Sequence, residues 1–283
     1  MNIQWYPGHM TKAKRMMQEN IKLVDVIIEL VDARIPYSSK NPDIDNLANN
    51  KPRIIILNKI DLSDTKLIDE WSKWFQDKGY AVSKVNSRTG QGINQLLNQV
   101  KEVCKEKIER DRKRGIINRP IRAMVVGIPN VGKSTFINKL VGKASAKTGN
   151  RPGVTKGKQW IKLKKDVELL DTPGILWPKF EDQSVGLKLA MIGSIKDDLL
   201  NTTEIASNLL GVLQKRYFNL IKDRYEVNKE QDLDQILYHI AEKRNMKKSG
   251  NELDIGRTSN VILEEFRNGK LGRITLEKPN DIE

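Results

Sequence analysis

The chain of 283 residues holds one cysteine, Cys104, and two histidines, His9 and His239. A lone cysteine excludes an internal disulfide. No run of 18 or more apolar residues occurs, which excludes a membrane-spanning helix. The N-terminal stretch MNIQWYPGHMTKAKRMM lacks the apolar segment and small-residue cleavage site of a secretory signal. A cytoplasmic protein without a membrane partner is expected, acting as a monomer. Cys104 sits in a charged helical pattern and is expected to be a bystander. There is no internal repeat and no low-complexity tract.

Acidic residues are missing from one region. Residues 123–165 carry ten Lys or Arg and no Asp or Glu. The whole chain has a net charge of +14, placed unevenly. Residues 1–180 hold 34 basic and 18 acidic residues, whereas 181–283 hold 16 and 18. A basic surface of this kind attracts polyanions, nucleic acid first among them.

Apolar runs mark the sheet. VDVIIELVDA (24–33) and RIIILNKID (53–61) are rich in Val and Ile and too short for a membrane, so they read as buried parallel strands. YAVSKVNS (80–87), IRAMVVG (121–127), KQWIKLKK (158–165) and VELLDTPG (167–174) add further strands. Helical patterns fall at 10–23, 64–78 and 92–114, the last as one long charged helix. RIPYSSKNPDI (34–44) reads as a loop leading into a short helix. Residues 142–157 read as a mobile loop. Strands alternating with helices imply an α/β fold with a doubly wound, mostly parallel sheet. After about residue 178 the strand signals stop. Helices are expected at 184–195, 201–221, 231–248 and 257–268. The expected organisation is an α/β domain over 1–177 and a small all-α domain over 178–283.

GIPNVGKS (127–134) follows a strand and opens a helix, as a phosphate-binding P-loop requires. Gly127 and Gly132 let the backbone turn its N–H groups onto phosphate oxygens, and the helix N-terminus adds partial positive charge. Asn130, Val131 and Thr135 complete the loop around the nucleotide. Lys133 reaches the β- and γ-phosphates, and the Ser134 hydroxyl is a hard oxygen ligand for Mg²⁺. DTPG (171–174) ends a later strand. Asp171 is placed to hold Mg²⁺ through water, and the Gly174 N–H to sense the γ-phosphate. Between them RPGVT (151–155) offers Thr155 as the switch threonine and Mg²⁺ ligand, with Thr148 as its rival.

NKID (58–61) also ends a strand. The two carboxylate oxygens of Asp61 suit the N1–H and N2–H₂ donors of guanine, an edge that adenine lacks. Asn58 is suited to bridge the base and the P-loop, and the Lys59 stem to cover the ring. NSRTG (86–90) supplies a second base loop. Asn86, Ser87 and Arg88 lie there, with the Ser87 or Arg88 N–H aimed at the base oxygen. These motifs predict GTP and GDP as ligands. They also run in permuted order, base motifs first and phosphate motifs second. A parallel sheet tolerates this if the old termini are joined and the chain is cut elsewhere. The charged segment 92–122 makes the join, and the cut after DTPG sets the phosphate sensor against the helical domain.

With WYPGHM (5–10), VDARIP (31–36), NKID, GIPNVGKST, RPGVT and DTPG in place, the sequence resembles the circularly permuted GTPases of ribosome assembly, in particular the bacterial ribosome biogenesis GTPase A subgroup. The resemblance spans residues 1–177. It implies GTP hydrolysis during late maturation of the large ribosomal subunit, with the subunit precursor and its rRNA as partners. It also implies that the C-terminal domain helps bind rRNA, through clusters such as Lys243, Arg244, Lys247 and Lys248. Residues 123–165 are the better electrostatic candidate. The position after the DxxG glycine, where many GTPases hold a water-orienting Gln, is Ile175. The family is implied to use a histidine from PGHM instead, here His9. The free enzyme is then expected to be slow and stimulated by the ribosome. His239 reads as helix packing or surface. Asn130 resembles the residue of K⁺-assisted GTPases, the alternative being a turn-forming Asn. A rival for the whole chain is a nucleotide-gated RNA-binding module with negligible hydrolysis. A tRNA-modifying or membrane-recruited GTPase would need a second catalytic domain or an anchor, and neither is seen.

Overall fold

The computed structural model describes residues 8–48, 51–117, 119–142, 159–163, 166–177 and 180–282, with side chains 8–10, 13 and 159 also outside the description. The chain divides into two compact units. One comprises Gln4–Lys179 together with Glu277–Glu283, and the other Phe180–Leu276.

The first unit holds six strands: β1 (Val26–Asp32), β2 (Arg53–Asn58), β3 (Ala81–Val85), β4 (Ile121–Gly127), β5 (Gln159–Leu163) and β6 (Val167–Asp171). They form one sheet in the order β3-β2-β1-β4-β6-β5, parallel except for the β5–β6 pair. The predicted strands are all present, β4 with the predicted bounds and β1, β2, β3 and β6 shorter. NKID and DTPG lie largely beyond the ladder, because their polar side chains leave the sheet at its C-terminal edge. The base-reading half (β1–β3) and the phosphate half (β4–β6) meet where β1 pairs β4. The permuted chain order therefore leaves a continuous sheet.

Helices α1 (Gly8–Ile21), α2 (Pro42–Leu47) and α3 (Thr65–Asp77) cover one face. Register-paired residues share a face of a sheet. Ile27 and Met124 are such a pair, as are Val31 and Leu57. Met17, Ile21 and Ile44 pack on Ile27, Met124, Val126 and Leu170, while Trp71 and Phe75 of α3 pack on Val31, Ile55 and Leu57. Alternate residues such as Ile28, Ile54 and Val125 are equally buried, so the opposite face is covered too. This is the near-continuous apolar strand of a doubly wound sheet. Helix α6 (Lys133–Val141) starts directly after the P-loop.

The single helix expected over 92–114 is two, α4 (Ile93–Val103) and α5 (Lys105–Lys113), broken at Cys104. Helix α4 buries Ile93, Leu96 and Val100, whereas α5 buries no residue, so only the first half has an apolar reason to follow the sheet. Burial, with Asp25 nearby, pushes the Cys104 thiol up to about 11, which keeps it protonated and inert.

The second unit holds α7 (Gln183–Met191), α8 (Thr202–Arg216), α9 (Phe218–Tyr225), α10 (Leu233–Lys243) and α11 (Ile255–Arg267). The expected helix 201–221 is also two. Tyr217 leaves helical dihedrals at the junction. Its hydroxyl donates to the Thr275 carbonyl at 3.0 Å and accepts from the Thr275 N–H at 3.2 Å. His239 is half-buried and hydrogen-bonds the Tyr225 carbonyl at 3.2 Å. Glu265 of α11 is buried and accepts from Arg224, from Arg244 (2.9 Å) and from the Tyr225 hydroxyl (2.9 Å). Burial alone would raise its carboxyl. The hydrogen bonds and two guanidinium charges overcome this and hold it below the usual glutamate range. A carboxyl depressed on folding stabilises above its unfolded pKa of about 4.3, and the contribution fades as pH falls through the folded value. The thermal midpoint of this unit should therefore drop as pH is lowered from about 5 to 3. Glu265→Gln should cost about 2 kcal/mol at pH 7, by the worth of hydrogen bonds to a charged group, and flatten that acid limb in calorimetry.

Candidate functional site

The parallel ladder sets four strand ends side by side. Asp32 at the end of β1 pairs in register with Asn58 at the end of β2, Leu30 pairs with Gly127, and Val125 with Asp171. The base motif, the P-loop and DTPG thus share the C-terminal edge of one sheet, where open α/β sheets place ligands.

Asn58, buried, ties three loops together. Its Nδ2 donates to the Val131 carbonyl at 2.8 Å, and its Oδ1 accepts from the Ser87 hydroxyl at 2.7 Å and the Ser87 N–H at 3.2 Å. Gly132 must be glycine here. Its φ is +95°, and a Cβ would lie 2.7 Å from Asn58 Nδ2. Lys59 takes left-handed φ/ψ (63°, 38°), a conformation that costs a non-glycine residue about 1–2 kcal/mol. Its ammonium offsets this by donating to the Asn130 carbonyl at 2.7 Å and pairing with Asp32 at 2.9 Å.

Asp32, within VDARIP, has a structural role that the sequence does not announce. It is fully buried and accepts from Arg34 Nε at 2.9 Å, Arg34 Nη2 at 2.8 Å and the Arg34 N–H at 3.1 Å. Burial alone would raise its carboxyl, but the Arg34 and Lys59 charges prevail and hold it far below the usual carboxylate range. Burial, and the nearby Arg34, pull the Lys59 ammonium below the ordinary lysine range, against the pull of Asp32. The only sequence signal for this pair was an Asp-x-Arg at the end of an apolar run.

Asp61 follows in a single 3₁₀ turn, half-buried. Among the described residues its carboxylate has no hydrogen-bond partner, so both oxygens stay available for a base edge. Asn86 accepts from the Arg88 N–H at 3.0 Å and the Thr89 N–H at 3.2 Å, closing its own turn. The Ser87 and Arg88 N–H groups are therefore both engaged within the protein, and Ser87 acts by holding Asn58.

On the phosphate side, Asn130 is exposed with φ 60°, a left-handed turn that asparagine tolerates. The buried Lys133 ammonium donates to the buried Asp171 carboxylate. Burial keeps it below the ordinary lysine range despite that partner. Ser134 is half-buried in the first turn of α6, and Thr135 is exposed. Ser134 and Asp171 are hard oxygen donors at the P-loop, and no cluster of three or more His, Cys, Asp or Glu occurs among the described residues. This fits Mg²⁺, which uses one or two protein oxygens plus phosphate and water, and not a fully protein-ligated metal. DTPG is pinned by the Thr172 hydroxyl donating to the Val125 carbonyl at 2.7 Å. Gly174 lies against the P-loop, and a Cβ there would be 3.1 Å from Pro129 Cα. The Ile175 N–H reaches the Gly127 carbonyl at 3.3 Å. Thr155 and Thr148 lie outside the described residues, as does the His9 side chain.

The geometry is that of a guanine-nucleotide site, and comparison with known proteins agrees. A family described as 50S ribosome-binding GTPase matches residues 122–250. The ribosome biogenesis GTPase A of Bacillus cereus is 49% identical over 282 residues, covering 99% of this chain and 95% of that protein. The chain belongs to the ribosome biogenesis GTPase A family. It is a GTPase that binds GTP and GDP. The mitochondrial ribosome-associated GTPase 1 of mouse is 33% identical, covering 97% and 90%. The crystal structure of GNP-bound YlqF from T. maritima superposes with a TM-score of 0.67 at 30% identity, covering 95% of this chain and 98% of that one. Within this GTPase family the close packing of Asn58 on Gly132 is open to a direct test. Gly132→Ala should weaken GDP binding at least about tenfold, or about 1.4 kcal/mol, in titration with a fluorescent analogue. Undiminished affinity would contradict the close approach.

Proposed function

We propose that this GTPase is an assembly factor for the large ribosomal subunit, docking on precursor rRNA in its GTP state and leaving after hydrolysis. The observation that carries the nucleotide part is the Asn58–Lys59 bridge, which joins base reader to phosphate loop. The ribosomal part is supported by the names of the relatives and by the +14 charge. Within the helical unit Phe180–Leu276, to which RNA contact is also proposed, the basic cluster is largely engaged internally. Lys243 pairs with Glu226, Arg244 with Glu265, and Lys247 donates to Asn251 at 2.7 Å. This favours residues 123–165 as the main phosphate-contacting region. The protein acts in the cytoplasm as a monomer. No helix among the described residues is long and apolar enough to cross a membrane.

Ile175 is buried in a cluster with Met17 and Ile21 of α1. It is core, and it orients no water. The same packing brings α1 to the sensor end of the site, and His9 lies in its first turn, about 12 Å along the axis from Met17 at 1.5 Å per residue. His9 is proposed to position the attacking water. Ser134, Asp171 and Thr155 would hold Mg²⁺, which when bound neutralises phosphate charge. Asn130 is proposed to hold K⁺ beside it. A second reading, nucleotide-gated RNA binding with negligible hydrolysis, is favoured by the burial of Ile175.

GTP turnover measured alone and with large subunits separates the two. Stimulation by subunits of about 10³-fold or more, abolished in His9→Ala, is expected. If subunits leave turnover unchanged and His9→Ala is neutral, the catalytic-histidine account is lost. Turnover should also be faster in potassium than in sodium buffer, and equal rates would remove the K⁺ site.

A further inference from the structure

The last residues of the chain return to the nucleotide-binding unit, and where they land has a consequence for the reaction. The helical unit ends at Leu276, and Glu277–Glu283 belong with the sheet. Glu277 is buried. Its carboxylate accepts from the Tyr37 N–H at 2.9 Å, from the Ser38 N–H at 3.2 Å and from the Ser38 hydroxyl. Its carbonyl accepts from the Trp71 indole N–H at 3.1 Å. Ile282 packs against the Trp71–Phe75 cluster. A buried carboxylate held by several donors is costly to undock halfway, because each lost donor leaves charge unsolvated.

The loop it grips, residues 33–41, touches both halves of the site. At one end Asp32 holds Lys59, which holds the Asn130 carbonyl of the P-loop. At the other end Asn41 donates from Nδ2 to the Ile175 carbonyl at 3.4 Å, directly after the sensor Gly174. The Asn41 N–H is fixed by buried Glu29 at 2.9 Å. Between these ends the loop is buried except at Tyr37, which is exposed, and Lys40, which is half-buried, and it is internally closed. The Asp32 N–H donates to the Ser39 hydroxyl at 2.9 Å, and that hydroxyl donates to the Ile35 carbonyl at 2.7 Å. Such a closed, packed loop moves as one piece and does not stretch.

We propose that Glu277 is a positioning residue for nucleotide binding, acting through the 33–41 loop, so that docking of the C-terminal tail and the GTP or GDP state of the site are coupled. A shift of the sensor segment on gain or loss of the γ-phosphate moves Asn41 and with it the Tyr37–Ser38 donors. By linkage, releasing the tail changes the relative affinity for the two nucleotides by the same factor. The proposal needs only the nucleotide site and not the ribosomal partner, so it is decided on the free protein.

The test uses the full chain. Affinities for GDP and for a non-hydrolysable GTP analogue are measured in wild type, Glu277→Gln and Ser38→Ala, with hydrogen exchange followed across 277–282 and at Tyr37 and Ser38. Glu277→Gln sets an amide donor against the donors of the loop. Ser38→Ala removes only one hydroxyl and serves if the first variant folds poorly. The expected result is an analogue-to-GDP affinity ratio shifted by about fivefold or more in Glu277→Gln, a smaller shift of the same sign in Ser38→Ala, and tail protection that differs between the two nucleotides in wild type. Equal ratios in all three proteins overturn the proposal. So does a ratio that moves while the tail stays protected from exchange.

Discussion

A carboxylate removed from water at the end of β1 organises this nucleotide site. Asp32 has no contact with solvent, so its charge must be met from within the protein. Arg34 meets it with a bidentate pair, and Lys59 with a third contact. The first partner fixes the path of the loop after β1. The second, Lys59, is kept in a left-handed conformation that it would otherwise avoid, and donates a further hydrogen bond to the P-loop. Removing one partner of such a buried group is worth about 3–5 kcal/mol. The NKID segment, the P-loop and the 33–41 loop are therefore tied to one charge.

A second constraint is steric. Asn58 approaches the P-loop so closely that Gly132 has no space for a methyl group, and Gly174 meets Pro129 almost as tightly. The apolar Ile175 belongs to the same economy of space. It is buried in the core cluster that includes Met17 and Ile21 of α1. The buried Lys133 ammonium and Asp171 carboxylate satisfy each other in the same confined space.

Much of this was legible in the sequence because the relevant signals are local. An apolar run followed by NKID, GIPNVGKS or DTPG names a strand and the polar residues that leave its end, and alternating helices name the sheet. Their permuted order was read directly, and the ladder joins the two halves between β1 and β4. The helix boundaries were less legible. One amphipathic stretch conceals a break when only its first half has a surface to cover, as at Cys104, or when a side chain is captured from afar, as Tyr217 is by Thr275.

The sequence by itself determined which chemical groups stand at the strand ends: the carboxylates of Asp61 and Asp171, the ammonium of Lys133 and the hydroxyl of Ser134, with no glutamine after Gly174. Only the tertiary structure decided how those residues are held. Asn58 and Val131 are 73 positions apart and Ser38 and Glu277 are 239 apart. No local pattern encodes such a meeting, because it depends on which strand ends the sheet sets side by side and on where a buried charge finds its donors.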